Sequence, residues 1–217
     1  MKNRNKMLQI TVVILFITSG LYAQTITPDL QAKDSWQIYN RSAEPINEDG
    51  KKGIRLNEAP GEGAMILLEY EFENGTIELD MKGRNVLQQS FAGVLFHGLD
   101  LEAFDAIYFR PFNFVNADTS RRSRSVQYIS MPVFSWEKLR QDSPGKYENK
   151  VFPAPNPDGW FHVKIIIAGK QIRVFVDNAE TPCLEVEKLG NNIVGGFALW
   201  VGNNSGAAFA NLTITPN

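Results

Sequence analysis

Short β-forming runs, separated by turn-forming residues, occupy most of the sequence after residue 35. The runs are rich in Val, Ile, Phe and Tyr, the residues between them include many Gly, Asn, Asp and Pro, and no long stretch has the spacing of an amphipathic helix. Twelve runs are predicted as strands: 36–39, 53–56, 64–68, 75–82, 91–97, 105–110, 126–130, 160–167, 171–176, 183–187, 195–200 and 208–214. This pattern predicts an all-β fold, a two-sheet antiparallel β-sandwich.

Two local signals refine this prediction. Residues 136–141 are predicted as a short helix, with Ser135 placed to cap its first turn. The segment KIIIAGKQIRVFV, residues 164–176, is typical of a hairpin that turns at 168–170.

The first 23 residues have the layout of a secretory signal peptide. Three cationic residues precede an apolar run, ITVVILFI at 10–17, and Ala23 offers a small residue for cleavage before Gln24. The run is too short to span a membrane. We therefore expect a signal peptide at 1–23, one β-sandwich domain at 24–217, and a secreted or periplasmic protein.

The charge balance argues against two classes of partner. The chain has 22 Lys and Arg against 24 Asp and Glu, and three of those cations lie in residues 1–23, so residues 24–217 carry 19 against 24. An acidic domain is not expected to bind nucleic acid or an anionic membrane as its main partner. Cys183 is the only cysteine in the sequence, so no internal disulfide can form.

Five segments, taken in order, resemble a known family. They are GTIELDMKG (75–83), SFAGVLFHG (90–98), SVQYIS (125–130), DGWFHVKIIIAGKQIRVFVDN (158–178) and GGFALWVGNNSGAAFANLTI (195–214). Together they resemble the 3-keto-disaccharide hydrolase-like domains of the concanavalin A-like lectin/glucanase superfamily. The resemblance implies a concanavalin A-like jelly roll whose concave face binds carbohydrate. The family usually has Arg at the position of His97, and often an acid at the position of Ser125.

The strand GTIELDMKG places Glu78, Asp80 and Lys82 on one face, because side chains alternate along a strand. A retaining glycosidase needs two carboxyl groups about 5–5.5 Å apart. The glucanase pattern that this strand resembles has its acid/base where this chain has Lys82. We therefore interpret Glu78 and Asp80 as polar residues on a solvated face rather than as a catalytic pair.

A better candidate site lies on the strand 105–110. Tyr108 and Arg110 share one face of this strand. His97 and Gln127 would join them if their strands lie alongside. Such a cluster supplies an imidazole, a guanidinium, an amide and an aromatic ring, which are groups that bind sugars. We predict His97, Arg110 and Tyr108 as catalytic and Gln127 as substrate-binding; the alternative is a polar network at a sheet edge.

Two further residues are predicted to bind substrate. Arg124 ends the basic segment 121–124 (RRSR), which either holds a sulfate, uronate or phosphate group or is a solvated loop. Trp136 is a candidate for the aromatic rim of a sugar site, whereas Trp160 and Trp200 are predicted to be buried.

Metal and cofactor signals are weak. The sequence has two histidines, His97 and His162, and neither an H-x-x-x-H motif nor a cysteine pair, so a zinc site is not predicted. No cofactor is expected, although the resemblance allows a structural calcium.

Three functions fit these observations. The first is an exported hydrolase or lyase that acts on a (keto-)glycoside in a concave-face groove, as the resemblance implies. The second is a non-catalytic carbohydrate-binding module, and the third is a structural sandwich without a sugar site. A lyase needs one base and one electrophilic stabiliser, which His97 with Arg110 or Tyr108 would supply.

The signal peptide gives a direct prediction. Export is expected to remove residues 1–23 and leave Gln24 at or near the N-terminus. Mass spectrometry of the exported protein checks this, and retention of Met1 would show that the prediction is wrong.

Overall fold

A computed structural model of the protein describes residues 24–217, so the signal peptide predicted at 1–23 lies outside the described residues. The described chain forms fourteen strands: β1 (Trp36–Tyr39), β2 (Ala43–Glu48), β3 (Lys51–Leu56), β4 (Gly63–Phe72), β5 (Gly75–Lys82), β6 (Ala92–Gly98), β7 (Asp105–Phe109), β8 (Val126–Ser130), β9 (Glu148–Asn149), β10 (Trp160–Ala168), β11 (Gln171–Val176), β12 (Leu184–Glu187), β13 (Gly195–Val201) and β14 (Ala207–Pro216). Two helices, α1 (Thr119–Arg122) and α2 (Trp136–Asp142), and two short 3-10 turns, Lys33–Ser35 and Pro111–Asn113, complete it. No helix among these residues has the length and apolarity that a membrane span needs.

The strands form two antiparallel seven-stranded sheets. The first sheet has the order β1-β4-β13-β6-β7-β8-β9, and the second has the order β12-β11-β10-β5-β14-β3-β2. The predicted two-sheet antiparallel β-sandwich is therefore confirmed, and all twelve predicted strands are present. The sequence missed β2 and β9, which are both edge strands. Edge strands need no apolar alternation, and β2 tolerates Pro45 because one side of it is unpaired.

The apolar core lies between the two sheets. Alternate residues of β5, Ile77, Leu79 and Met81, are fully buried in it. Phe109 of β7 meets Phe161 of β10 across the core, with ring centroids 5.4 Å apart. Side chains alternate along a strand, so because Phe109 of β7 faces the core, Tyr108 faces the outer side of the first sheet.

One row of residues crosses the outer face of the first sheet. The strand register places Trp200 opposite Gly93, Gly93 opposite Tyr108, Tyr108 opposite Gln127, and Gln127 opposite Glu148. Gly93 separates the two aromatic residues by one strand, yet their ring centroids are 5.3 Å apart. A Cβ atom at Gly93 would collide with the backbone and Cβ of Tyr108, so glycine is what allows this contact.

The local predictions hold for the hairpin and the helix. Ala168 pairs with Gln171 in the β10–β11 hairpin, which turns at Gly169 with φ of 58°. Helix α2 begins at Trp136, and the Ser135 hydroxyl accepts a hydrogen bond from a backbone N–H in the first turn. The prediction that Trp160 is buried is wrong: it is half-buried, since it lies in the outward phase of β10.

The outer face of the second sheet carries a polar network around Asp80. Its carboxylate accepts hydrogen bonds from Lys51 at 2.7 Å and Asn211 at 2.6 Å, and it lies 3.0 Å from His162 Nδ1. Burial opposes ionisation, but these contacts outweigh it and lower the pKa of Asp80 to about 2. Asp80 is thus committed to a structural network. The prediction that it lies on a solvated face is wrong, since Asp80 is 6% exposed beneath its partners.

This network predicts a loss of stability in acid. A carboxyl whose pKa is lowered by folding stabilises the protein above its unfolded pKa near 4, and this stabilisation is lost as the pH falls toward 2. We expect Asp80→Asn to reduce the free energy of unfolding by about 2 kcal/mol at pH 7 and to flatten its pH dependence between pH 4 and 2. Urea unfolding at several pH values measures both effects. Glu78→Gln, on the same face but more exposed, is the control and should change stability little.

Candidate functional site

A groove of about 550 Å³ lies on the outer face of the first sheet, beside α1 and α2. Four of the predicted site residues line it: Tyr108, Arg110, Arg124 and Trp136. The connection after β7 supplies one wall, and the helix α2 supplies another. Four of the six residues that the sequence assigned to one site therefore line the same groove.

Tyr108 and Arg110 form a buried pair at the floor of the groove. Arg110 Nη2 donates a hydrogen bond to Tyr108 Oη at 2.8 Å, and Arg110 Nη1 donates to the carbonyl of Arg124 at 2.9 Å. Burial raises the pKa of Tyr108 to about 12, so this phenol is protonated at neutral pH. Burial also lowers the pKa of the Arg110 guanidinium, which nevertheless remains a cation.

Gln127 lies beside this pair rather than in the groove wall. Its Oε1 accepts from Arg110 Nη2 at 3.3 Å, and its amide nitrogen donates to the carbonyls of Tyr128 and Tyr147, both at 3.0 Å. The predicted neighbourhood with Tyr108 is therefore present, but the position of Gln127 fits a residue that holds Arg110 in place. It does not line the groove, so direct contact with substrate is not supported.

His97 does not join this cluster, and that part of the prediction is wrong. Strict alternation along β6 would direct His97 outward with Gly93. However, the register of β6 and β13 shifts here, and His97 has a φ of 52°, which turns its side chain inward. The ring is buried between Phe72 and Phe96, and its Nε2 lies 2.7 Å from the carbonyl oxygen of Glu73.

The inward position of His97 places it near a second polar cluster inside the sandwich. Asp105 pairs there with Lys188 at 3.0 Å and accepts a hydrogen bond from the Tyr128 hydroxyl. Lys188 also donates to the carbonyl of Gly190 at 2.7 Å, so the cluster fixes the chain that follows β12. None of these residues lines the groove.

The sequence missed Glu148, the carboxylate that organises the groove floor. It is 7% exposed and accepts two hydrogen bonds from Arg140, at 3.0 Å and 2.6 Å. Arg124 and Arg110 lie within ion-pair distance of it, at 3.7 Å and 3.9 Å. No local pattern marks Glu148, because β9 is only two residues long and the residue opposite Glu148, Gln127 of β8, lies 21 residues (148 − 127) earlier in the chain.

Aromatic side chains supply the apolar part of the groove. Trp136 is 39% exposed, and the Arg140 guanidinium carbon lies 4.7 Å from the centroid of its ring. Trp200 is buried as predicted, yet one edge of it reaches the groove, where its Nε1 donates to Glu62 at 3.1 Å. Such a surface suits the apolar faces of sugar rings.

No metal site accompanies the groove in the described part of the chain. Over residues 24–217, no group of three or more His, Cys, Asp or Glu side chains is arranged to hold a metal ion. The groove therefore offers guanidinium, phenol, carboxylate and aromatic groups from this chain's own residues.

A family model described as the 3-keto-alpha-glucoside-1,2-lyase-like domain matches residues 28–215. The chain belongs to this family. The match covers nearly all of the β-sandwich, including every residue of the groove. It confirms the family that the five sequence segments indicated.

Solved structures share the fold of this lyase-like domain at low sequence identity. The carbohydrate-binding module CBM66 from Bacillus subtilis matches with a TM-score of 0.60 and 13% identity over 83% of this chain and 96% of that chain. A putative glycosyl hydrolase from Parabacteroides distasonis has a TM-score of 0.56 and 14% identity over 89% and 100%. The exoplasmic/lumenal domain of VIP36, in a Ca²⁺/Man3GlcNAc-bound form, has a TM-score of 0.58 and 11% identity over 85% and 87%. No curated protein sequence matches significantly. The lyase-like domain is thus a carbohydrate-related β-sandwich.

The buried carboxylate at the groove floor predicts a large stability effect. Glu148→Gln removes the charge that Arg140 and Arg110 face, and we expect it to reduce the free energy of unfolding by about 3 kcal/mol. Urea unfolding measures this change. Glu137→Gln, an exposed substitution on the same groove, is the matched control, and equal stability of the two variants would contradict the assigned role of Glu148.

Proposed function

We propose that the groove binds a glycoside through the Tyr108–Arg110 pair and the aromatic walls. The hydroxyl of Tyr108 carries the proposal. It lines the groove and accepts a hydrogen bond from Arg110, and within residues 24–217 its own hydrogen has no acceptor. Because this phenol stays protonated, it can donate that hydrogen to a sugar oxygen.

The aromatic side chains support a sugar rather than a fully polar ligand. Trp136 presents an exposed ring on one wall, and the nearly buried rings of Trp200 and Tyr108, 5.3 Å apart and tilted by 55°, lie at the floor. Aromatic rings pack against the C–H faces of pyranoses, while a few fixed polar groups select orientation. A carbohydrate-binding module and a glycan-bound domain among the structures with this fold also support a carbohydrate ligand.

The family match favours a lyase reaction on a 3-keto glycoside at the same groove. In such an elimination, a base removes the hydrogen from C2, which the C3 ketone makes acidic. The C1–C2 double bond then forms, the C1–O bond breaks, and the leaving oxygen takes a proton. Arg110 and Tyr108 would stabilise the enolate oxygen at C3.

The base would come from a carboxylate of the groove. Glu62 and Glu137 both line the groove and are exposed. His97, the base first considered, is 1% exposed and lies inside the sandwich, so it cannot reach this ligand. With the signal peptide expected at residues 1–23, we propose that the reaction takes place in the periplasm or outside the cell.

Trp136→Ala tests the sugar site. We expect it to weaken, by about tenfold, the binding of any sugar that the unsubstituted protein binds, because the exposed ring supplies a stacking face. Calorimetry with α-linked glucose disaccharides and their 3-keto forms measures this change. Phe152→Ala is the matched control, since Phe152 is also an exposed ring beside a cation but lies outside the groove. Equal effects of the two substitutions would contradict the site.

Product analysis of the same mixtures distinguishes the remaining functions. Elimination gives an unsaturated keto sugar and a free alcohol, whereas hydrolysis gives two sugars with the elements of water added. Binding without any product identifies a carbohydrate-binding module. Failure of all these sugars to bind would contradict the proposal and favour a structural sandwich.

A further inference from the structure

Arginine is concentrated in the groove of a protein that is otherwise acidic. Four arginines line it, Arg110, Arg121, Arg124 and Arg140, whereas two carboxylates do, Glu62 and Glu137. Over the whole sequence the balance is the reverse, with a net charge of −2. A cleft whose charge opposes that of the whole protein attracts and concentrates ligands of the opposite sign.

Glu148 does not neutralise this charge. It is one buried carboxylate among three guanidinium groups, those of Arg140, Arg124 and Arg110. Arg140 binds it with two hydrogen bonds, and the other two lie at ion-pair distances only. Counted with the two exposed carboxylates that line the groove, Glu148 brings the total to three carboxylates against four arginines, so the groove keeps one positive charge in excess.

Arg121 and Arg124 are the two groove arginines whose side chains donate no hydrogen bond within residues 24–217. Arg124 Nε lies 3.7 Å from Glu148, and Arg121 Nε lies 3.8 Å from the exposed Asp118, both beyond hydrogen-bond distance. Within residues 24–217, neither guanidinium donates a hydrogen bond to a protein acceptor, and both side chains are about 40% exposed. Their donors remain available to a ligand.

The backbone that carries these two side chains is nevertheless fixed. Asp118 caps α1 by accepting from the N–H of Ser120 at 2.8 Å. The carbonyl of Arg124 accepts from Arg110 at 2.9 Å and from Asn113 at 3.1 Å. A fixed backbone with uncommitted guanidinium groups is the arrangement of a preorganised anion site rather than of a freely moving surface loop.

We infer that the sugar bound in this groove carries an acidic group, a carboxylate or a sulfate, which Arg121 and Arg124 bind. This inference rests on the proposed sugar site. The planar fork of a guanidinium matches the paired oxygens of both groups and forms charge-assisted hydrogen bonds with them. The ligand is thus an acidic glycoside, with its ring against the aromatic walls and its anion at the α1 side.

Matched probes test this inference on the full-length protein. Calorimetry is performed with the 4-nitrophenyl glucoside, glucuronide and 6-sulfated glucoside, in both anomeric forms. We expect an acidic probe to bind at least about tenfold more tightly than the neutral glucoside, with an affinity that falls as salt is added. The glucuronide and the sulfated probe distinguish a carboxylate site from a sulfate site.

Substitutions locate the effect. Arg121→Gln and Arg124→Gln should each weaken the acidic probe about tenfold more than they weaken the neutral glucoside. Arg173→Gln makes the same charge change at an exposed position of β11, in the second sheet, and should alter neither probe. Equal binding of acidic and neutral probes, or an equal loss in the Arg173 control, overturns the inference but leaves the sugar site standing. Failure of every probe, neutral and acidic, overturns both.

Discussion

The packing of the first sheet on the second determines which side chains of β7 can reach the groove. Phe109 and Phe161 meet across the core, and the phase of β7 follows from that contact. Tyr108, in the other phase of β7, has no place in the core and must face outward, and Arg110, directly after the strand, lies on the same side. The site is therefore a consequence of how the core is filled.

Two charged side chains at the groove floor have little exposure to solvent. Arg110 and Glu148 are both nearly buried, and each is held by hydrogen bonds with neighbouring groups. Buried charges are stable only with such partners, and removing one leaves the others exposed to a large desolvation penalty. The same partners hold the phenol of Tyr108 in a fixed position at the groove, which suits the recognition of a rigid ring.

Much of this architecture could be predicted from the sequence, for identifiable reasons. Strand runs and turns are local signals, so the sandwich, the β10–β11 hairpin and α2 were predicted correctly. The pairing of Tyr108 with Gln127 followed from placing successive strands side by side. His97 was misplaced because one extra residue in β6 reverses the phase of the strand, and no residue type in SFAGVLFHG reports that.

Long-range pairing was beyond the reach of local patterns. Glu148 reaches the groove floor because β9 pairs with β8 and places it opposite Gln127. Arg140 meets Glu148 because α2 packs against the sheet. Trp200 was correctly predicted to be buried. That one edge of it reaches the groove follows from its contact with Tyr108 of β7, two strands away in the sheet. These residues were missed because their environment is created by segments distant in sequence.

Gly93 gives the groove floor an unusual property. It contacts no ligand in the proposed arrangement, yet its missing side chain is the reason that Tyr108 and Trp200 meet across an intervening strand. The contact between these two rings thus depends on the absence of a Cβ atom at position 93. A Cβ atom at this position would come within 2.1 Å of the carbonyl oxygen of Ile107, so any larger residue would displace β7 and separate the two rings. The shape of this part of the groove floor therefore depends on how closely two neighbouring strands approach, and not only on the side chains that line it.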